Sequence, residues 1–309
     1  MRKKMVLKFH WIWLLLISIS LLSGQSQKVL FASEYGNRMH SNFLKTNNLD
    51  SIIIFYQNEF VKDDALCFDQ QLLSKSIRQK FPQENAVGYA VLDWEGEAMN
   101  ILLGAKIVSN EKYNQVVNNY LRSLEYAQLL RPNVKWGFYN FPPVMYGKMP
   151  YNYDEAVKSK WLRILQKVDF LTPSLYILED QTEVSDNVSY QYAYDNTKYA
   201  IKLGKELNKP VYPFIWHRYS DSSKRSGFSL INQEHFSKFI ATILSTSHLG
   251  DRVDGIIWWE CENYVYNNQS NISTLKDRYP VSINKVLYQE QLLENYYNKI
   301  KESVRNSLK

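Results

Sequence analysis

Residues 88–97, GYAVLDWEGE, hold the most suggestive chemistry in the chain. An apolar run from Tyr89 to Leu92 ends in Asp93-Trp94-Glu95, followed by Gly96. Alternation along a strand sends Asp93 and Glu95 to one face and Trp94 to the other. Two carboxylates that close resist ionising together, so one keeps its proton towards neutral pH. A retained proton is what a general acid needs. A solvated strand end whose acids do nothing would have the same spacing, so the elements around the pair must decide.

Six short apolar runs read as strands: 51–56 (SIIIFY), 87–93, 134–140 (VKWGFYN), 169–177 (DFLTPSLYI), 211–216 and 253–259 (VDGIIWW). Helical patterns fill the gaps at 68–81, at 111–130, after a cap at Asp154, at 194–207 and at 232–249, the last with Gly250 as C-cap; a further helix, 283–304, closes the chain. Strands alternating with helices call for a parallel sheet with crossover helices. The fold class is therefore α/β: an irregular, incomplete (β/α) TIM-like barrel of six to eight parallel strands. Extra strands could hide in 60–70 or 140–155. One catalytic domain over 51–309 is the better reading, with 25–50 as a polar leader segment.

Barrel enzymes keep their sites at the C-terminal ends of the strands. Those ends carry Asp93 and Glu95, Tyr139, Tyr176, Trp216 with His217, and Trp259 with Glu260. Core packing accounts for any one of these aromatic residues. Their recurrence at successive strand ends argues for a cleft where rings stack on sugars. Two acids among aromatic rings read as glycoside chemistry. The His residues show no ligand spacing with Cys, Asp or Glu, so no metal and no cofactor is expected.

Composition agrees without deciding. The chain has 309 residues, 15% of them aromatic, including 23 Tyr and 8 Trp. Residues 1–24 look like a signal peptide: Arg2, Lys3 and Lys4 precede an apolar run from Ile12 to Leu22, and Ser23-Gly24 offers a cleavage point before Gln25. That run is short for a bilayer span, so secretion to the periplasm or exterior is expected, with no stable membrane insertion after removal. Residues 1–24 hold four basic residues and no acids, which brings the formal +6 down to near +2 for the remainder. Such a balance gives no basis for nucleic acid as a partner. Cys67 follows the first strand read here and Cys261 the last, and in a closed barrel those neighbourhoods can meet. A disulfide closing so long a loop would be worth roughly 5 kcal/mol; two buried free thiols are the alternative.

AQLLRPNVKWGFYNFPP (127–143) closely resembles a segment of the hyaluronidase family of glycoside hydrolases. Asp93-Trp94-Glu95 resembles that family's D-x-E at the end of its third strand, and DFLTPSLY (169–176) its Leu-x-Pro-Ser-x-Tyr strand. PFIWHRYSD (213–221) and DGIIWWE (254–260) resemble its last two strand segments. The matches run in family order over most of 51–265. The resemblance implies an irregular barrel and endo-hydrolysis of β-linked N-acetylhexosamine polysaccharide, hyaluronan- or chondroitin-like, by a retaining, substrate-assisted mechanism. It makes Glu95 the proton donor and Asp93 the carboxylate that orients the substrate's acetamido group. Tyr139 and Tyr176 become the lining of the acetamido pocket, and Trp259 an aromatic wall, with Trp258 taking that place if the alignment slips by one. The chain departs from the pattern at QNEF (57–60), at GEAMNILLG after Glu95 and at Glu260-Cys261; a shortened 60–85 suggests that the family's second strand is missing.

Same-face neighbours cannot act from opposite sides of a sugar ring, as ordinary paired mechanisms require; a nucleophile supplied by the substrate removes that need. A second reading pairs Glu95 with Glu260 or Glu262 as a carboxylate nucleophile on sugars lacking the acetamide. A third is a catalytically idle carbohydrate-binding barrel.

Overall fold

The structure, a computed structural model, describes residues 27–34, 40–62, 66–144, 155–180, 185–280 and 284–307. The signal peptide and the Asp154 cap lie outside the described residues. One parallel sheet contains β1 (Lys28–Ser33), β2 (Asp50–Tyr56), β3 (Gly88–Asp93), β4 (Val134–Phe138), β5 (Phe214–Trp216) and β6 (Gly255–Glu260), in the order β4-β3-β2-β1-β6-β5. Its helices are α1 (Ser41–Asn47), α2 (Gln70–Lys80), α3 (Gly96–Leu102), α4 (Asn110–Leu130), α5 (Glu155–Leu165), α6 (Asp186–Leu207), α7 (Gln233–Ser245), α8 (Glu262–Asn268) and α9 (Lys285–Ser307).

The outer strands β4 and β5 do not end in open edges. Residues 169–175 run between them, with Asp169 N–H donating to Trp136 O (2.8 Å) on one side and Leu175 N–H donating to Phe214 O (2.9 Å) on the other. Expected as a strand, this segment makes only single bridges at Leu171, Thr172 and Ser174. Pro173 has no N–H to give a ladder, which is why regular pairing stops there. The result, among the described residues, is an irregular (β/α) barrel of six strands and one broken stave.

Two readings need correction. The stretch 25–50 is not an irregular leader: it holds β1, in the middle of the sheet, and α1. β1 pairs with β6 along its whole length, from Lys28↔Gly255 to Ser33↔Glu260. Close approach requires glycine at 255, since a Cβ there would lie 2.1 Å from Lys28 O. Counting β1, Asp93 ends the third strand, and no second strand is missing. The missed strand is also why Cys67 and Cys261 do not pair. β1 separates β2 from β6, so Cys67 lies beside Gln115 and Asn119 of α4, while Cys261 is buried beyond β6, and no disulfide joins them.

Most helices follow their apolar periodicity, and two boundaries differ clearly. α6 starts at Asp186 rather than 194. α7 stops at Ser245, where Thr246 becomes extended, and Gly250 (φ 87°) instead serves the turn in which His248 and Asp251 exchange hydrogen bonds. α1, α3 and α8 span seven residues each, too short for a periodic signal. Among the described residues, no helix is long and apolar enough to cross a membrane.

Strand alternation separates two apolar layers. Leu30, Ile52, Ile54, Val91, Phe214 and Ile257 fill the barrel interior. Trp94, Trp136 and Trp258 point outward beneath the helices. Trp94 stacks on Tyr120 of α4 at 4.6 Å and 7°, and the Tyr120 hydroxyl donates to Trp94 O at 2.6 Å. Packing of this kind, worth about 3–5 kcal/mol for a large aromatic residue on truncation to alanine, fixes which way its neighbours face.

Candidate active site

Above the interior layer, at the C-terminal ends of the strands, lies a cavity of about 700 Å³. Asp93, Glu95, Tyr139, Tyr176, Trp216 and Trp259 all line it, so the structure brings together these six of the residues picked out from sequence. Val91 faces the interior, and two-residue steps carry Asp93 and then Glu95 over the cavity, while Trp94 anchors the segment from behind. Glu95 N–H donates to the Gln57 side-chain oxygen at 3.2 Å, and Gly96 (φ 65°) turns the chain from β3 into α3. A side chain at 96 would disfavour that left-handed backbone and move Glu95.

The aromatic wall is built from three segments. Tyr139 extends β4, its N–H donating to Leu92 O (3.1 Å), and its hydroxyl shares a 2.8 Å hydrogen bond with Ser174. Asn140 (φ 56°) then turns the chain and accepts from Ser174 N–H at 3.3 Å, tying the turn to the broken stave. Tyr176 lies nearly parallel to Trp259 (5.8 Å, 21°), and Trp216 stands 4.7 Å from Trp259. Trp259 Nε1 donates to the Tyr56 hydroxyl (3.1 Å), which holds the indole upright. Trp258 is core, packed among Phe31, Phe43 and Tyr297. The wall tryptophan is therefore Trp259. Trp216 is 3% exposed, yet its Nε1 has no partner, leaving a donor in the cavity wall.

Charge is crowded here. Burial, and then the neighbouring Glu95, push Asp93 well above the usual carboxylate range, and Asp93 Oδ1 has no hydrogen-bond partner. Glu95 stands at the exposed rim and is also raised, by loss of water on its protein side and then by Asp221. The pair thus retains a proton to higher pH than either acid would alone. Sequence reading missed Glu34, Tyr56, Gln57 and Asp221. The first two were signalled by the two-residue steps Leu30, Ala32, Glu34 and Ile52, Ile54, Tyr56, once β1 is known. Asp221 lies in a loop, where no period gives it away. Burial and then Glu260 raise Glu34 from 4.5 to about 7, against a lowering bond from the Tyr264 backbone.

His217, Glu260 and Glu262 are not part of the cavity lining. Arg218 donates to both oxygens of Glu262 (2.6 and 2.7 Å), His217 Nε2 lies 2.8 Å away, and the Tyr279 hydroxyl donates as well. Burial would raise Glu262, but Arg218 and His217 hold it well below the usual range. Glu260 accepts from Glu262 N–H (2.8 Å) and lies 3.3 Å from His40. Both acids are enclosed in the outer layer, so neither can attack a sugar in the cavity, which overturns the reading that pairs them with Glu95. Among the described residues, no group of three or more His, Cys, Asp or Glu could hold a metal ion.

No family model matches the chain. It is 23% identical over 250 residues to the hyaluronidase Tab y 2.0101 of Tabanus yao, covering 69% of this chain and 68% of that protein. Among solved structures it is similar to bee venom hyaluronidase, with a TM-score of 0.60 and 14% identity over 90% of this chain and 99% of the other. The same bee enzyme in complex with a hyaluronic acid tetramer gives a TM-score of 0.58, with 15% identity over 90% and 98%. Fold and sequence relatives define the class as that of the (β/α)-barrel glycoside hydrolases. Within that class the chain is hyaluronidase-like, as its motifs led one to expect.

Proposed function

We propose that this protein is an exported endo-hydrolase of β-linked N-acetylhexosamine polysaccharide, working by retention with the substrate's acetamido group as nucleophile. One observation carries the reading: Asp93, with an unpaired carboxylate oxygen, and Glu95 share a cavity walled by Tyr139, Tyr176, Trp216 and Trp259. The Tabanus yao relative and the bee venom neighbour are called hyaluronidases, and the bee enzyme was also solved with a hyaluronic acid tetramer, which supports a polysaccharide in this cleft.

The steps follow from the two environments. An acetamide N–H donated to Asp93 favours its carboxylate form, which leaves the shared proton on Glu95. Glu95 then protonates the glycosidic oxygen as that bond breaks, and the acetamide carbonyl oxygen attacks the anomeric carbon. Asp93 balances the positive charge that develops on the cyclised acetamide. Water, deprotonated by Glu95 carboxylate, opens the ring intermediate from the opposite face and restores both the acid and the starting anomer. Tyr139, held by Ser174, and the Tyr176–Trp259 pair confine the acetamido sugar beside Asp93.

Substrate assistance makes a sharp demand. An N-acetylated polymer yields new reducing ends, β-configured when first formed by NMR, and the same polymer fully de-N-acetylated yields none. Cleavage of the de-N-acetylated polymer at a similar rate would rule the mechanism out.

A further inference from the structure

The cavity lining has a one-sided charge. Among the described residues it includes four carboxylates, Glu34, Asp93, Glu95 and Asp221, and no Lys, Arg or His. None of the four takes part in an ion pair among the described residues, whereas Glu59, Glu262 and Asp180 elsewhere each do. Arg218, the buried cation nearest in the chain to the lining, is taken up by Glu262 and Asp277. Burial raises Glu95, Asp93 and Glu34, the last to about 7; Asp221 then adds to the rise of Glu95, Glu95 to that of Asp93, and Glu260, behind the lining, to that of Glu34. A cleft that already holds its own negative charge with difficulty opposes a further anion. Groups that suit it are donors, meaning sugar hydroxyls, amide N–H groups or ammonium groups facing the carboxylates. The unpartnered Trp216 N–H suits a neutral oxygen acceptor. The Tyr176–Trp259 stack suits an uncharged sugar face.

We infer that the cleft takes an N-acetylhexosamine polymer free of uronic acids, its neighbouring sugars uncharged or bearing free amines, and discriminates against chains that alternate with uronates. This rests on the hydrolase reading above and narrows its substrate. It parts company with the hyaluronan- or chondroitin-like polymers that the family resemblance implies.

Binding separates the two ideas, because it does not need turnover. With Glu95→Gln protein, calorimetry at one ionic strength compares a hexasaccharide of β-linked N-acetylglucosamine with a hyaluronan hexasaccharide. The first binds at least 10-fold more tightly. Asp221→Lys, at an exposed loop position, shifts that ratio at least threefold towards hyaluronan, and Glu34→Gln shifts it the same way. Equal or tighter binding of hyaluronan, or a ratio indifferent to Asp221→Lys, overturns the inference, as does failure to bind either probe. Wild-type protein is then assayed for new reducing ends on both polymers. A charge preference without cleavage of either polymer sinks the hydrolase reading and leaves the inference standing; cleavage with no preference does the reverse.

Discussion

The chain carries two acid-x-acid pairs at strand ends, and they have opposite fates. Asp93 ends β3 with Glu95 two residues on, and Glu260 ends β6 with Glu262 opening α8. Both have the same spacing and stand at the same end of the barrel. On β3 the interior positions run Val91, Asp93, Glu95, so the acids enter the cavity. On β6 they run Ile257, Trp259, Cys261, so the acids fall on the outward face with Trp258. One residue of phase separates an unsatisfied pair, with raised proton affinity, from a pair whose oxygens meet Arg218, His217, Tyr279, His40 and a backbone N–H. Acids with few partners can transfer protons; acids with many partners hold the barrel end together.

Substitution separates the two pairs most sharply. Glu95→Gln removes a general acid and lowers kcat roughly a hundred- to ten-thousand-fold, while the unfolding midpoint stays where it was, because the residue is exposed and makes no ion pair among the described residues. Glu262→Ala does the opposite. It leaves Arg218 and His217 buried without their carboxylate, at a cost of about 3–5 kcal/mol, and thermal melting drops by roughly 10 °C. Activity of the folded remainder persists. Calorimetric melts beside initial rates on the same preparations check both. A Glu262→Ala protein that melts like wild type but has no activity would reverse the roles assigned to the pairs.

The phase difference was readable in the sequence, since Trp259 as a cleft residue already implies an outward Glu260. What could not be read was the frame that decides it. β1, KVLFAS, is buried on both faces from Leu30 onward, so it lacks the alternation that marks a half-buried strand. Without it the barrel's first strand goes unread, two cysteines seem adjacent, and Glu34 is invisible. Motif strength also misled in part. In the most specific stretch, 127–143, Arg131 hydrogen-bonds Phe81 O and Trp136 packs on Phe55 and Phe81, so much of its character is architectural. Tyr139 is its one side chain that reaches the cavity with a hydroxyl. Asp221 and Gln57 act from loops and turns, where position comes from tertiary contacts alone.

Acid titration gives a smaller and opposite-signed contrast. Glu34 faces Glu260, Tyr264, Tyr56 and Cys261, and its proton affinity rises from 4.5 to about 7 on folding. A raised acid binds its proton more tightly in the folded state, so its contribution is fully present below 4.5, declines as pH rises to about 7, and is flat above. Glu262, held low, contributes stability above its ordinary range that is lost as pH falls. Glu34→Gln therefore gains on wild type between pH 4.5 and 8, by about 1–2 kcal/mol after solvent screening at a half-exposed group. Denaturant melts across pH measure it. A gain that grows towards acid pH instead would place Glu34 among the satisfied acids.

Cys261, between the outward acids, carries the smallest expected effect and tests the phase directly. It faces the cavity, is 2% exposed, and burial, with Glu262 and Glu260 next, pushes its thiol well above the ordinary range. Cys67 is half-buried beside α4. A thiol reagent at neutral pH therefore labels Cys67 first and Cys261 slowly, and a bound oligosaccharide slows Cys261 alone. Reductant leaves the melting midpoint unchanged within about 1 °C, where loss of a disulfide would cost about 2–5 kcal/mol. A drop on reduction would bring the two cysteines together, and with them β2 and β6. The position of β1 between those strands, and the phase that puts Asp93 and Glu95 in the cavity, would then be wrong as well.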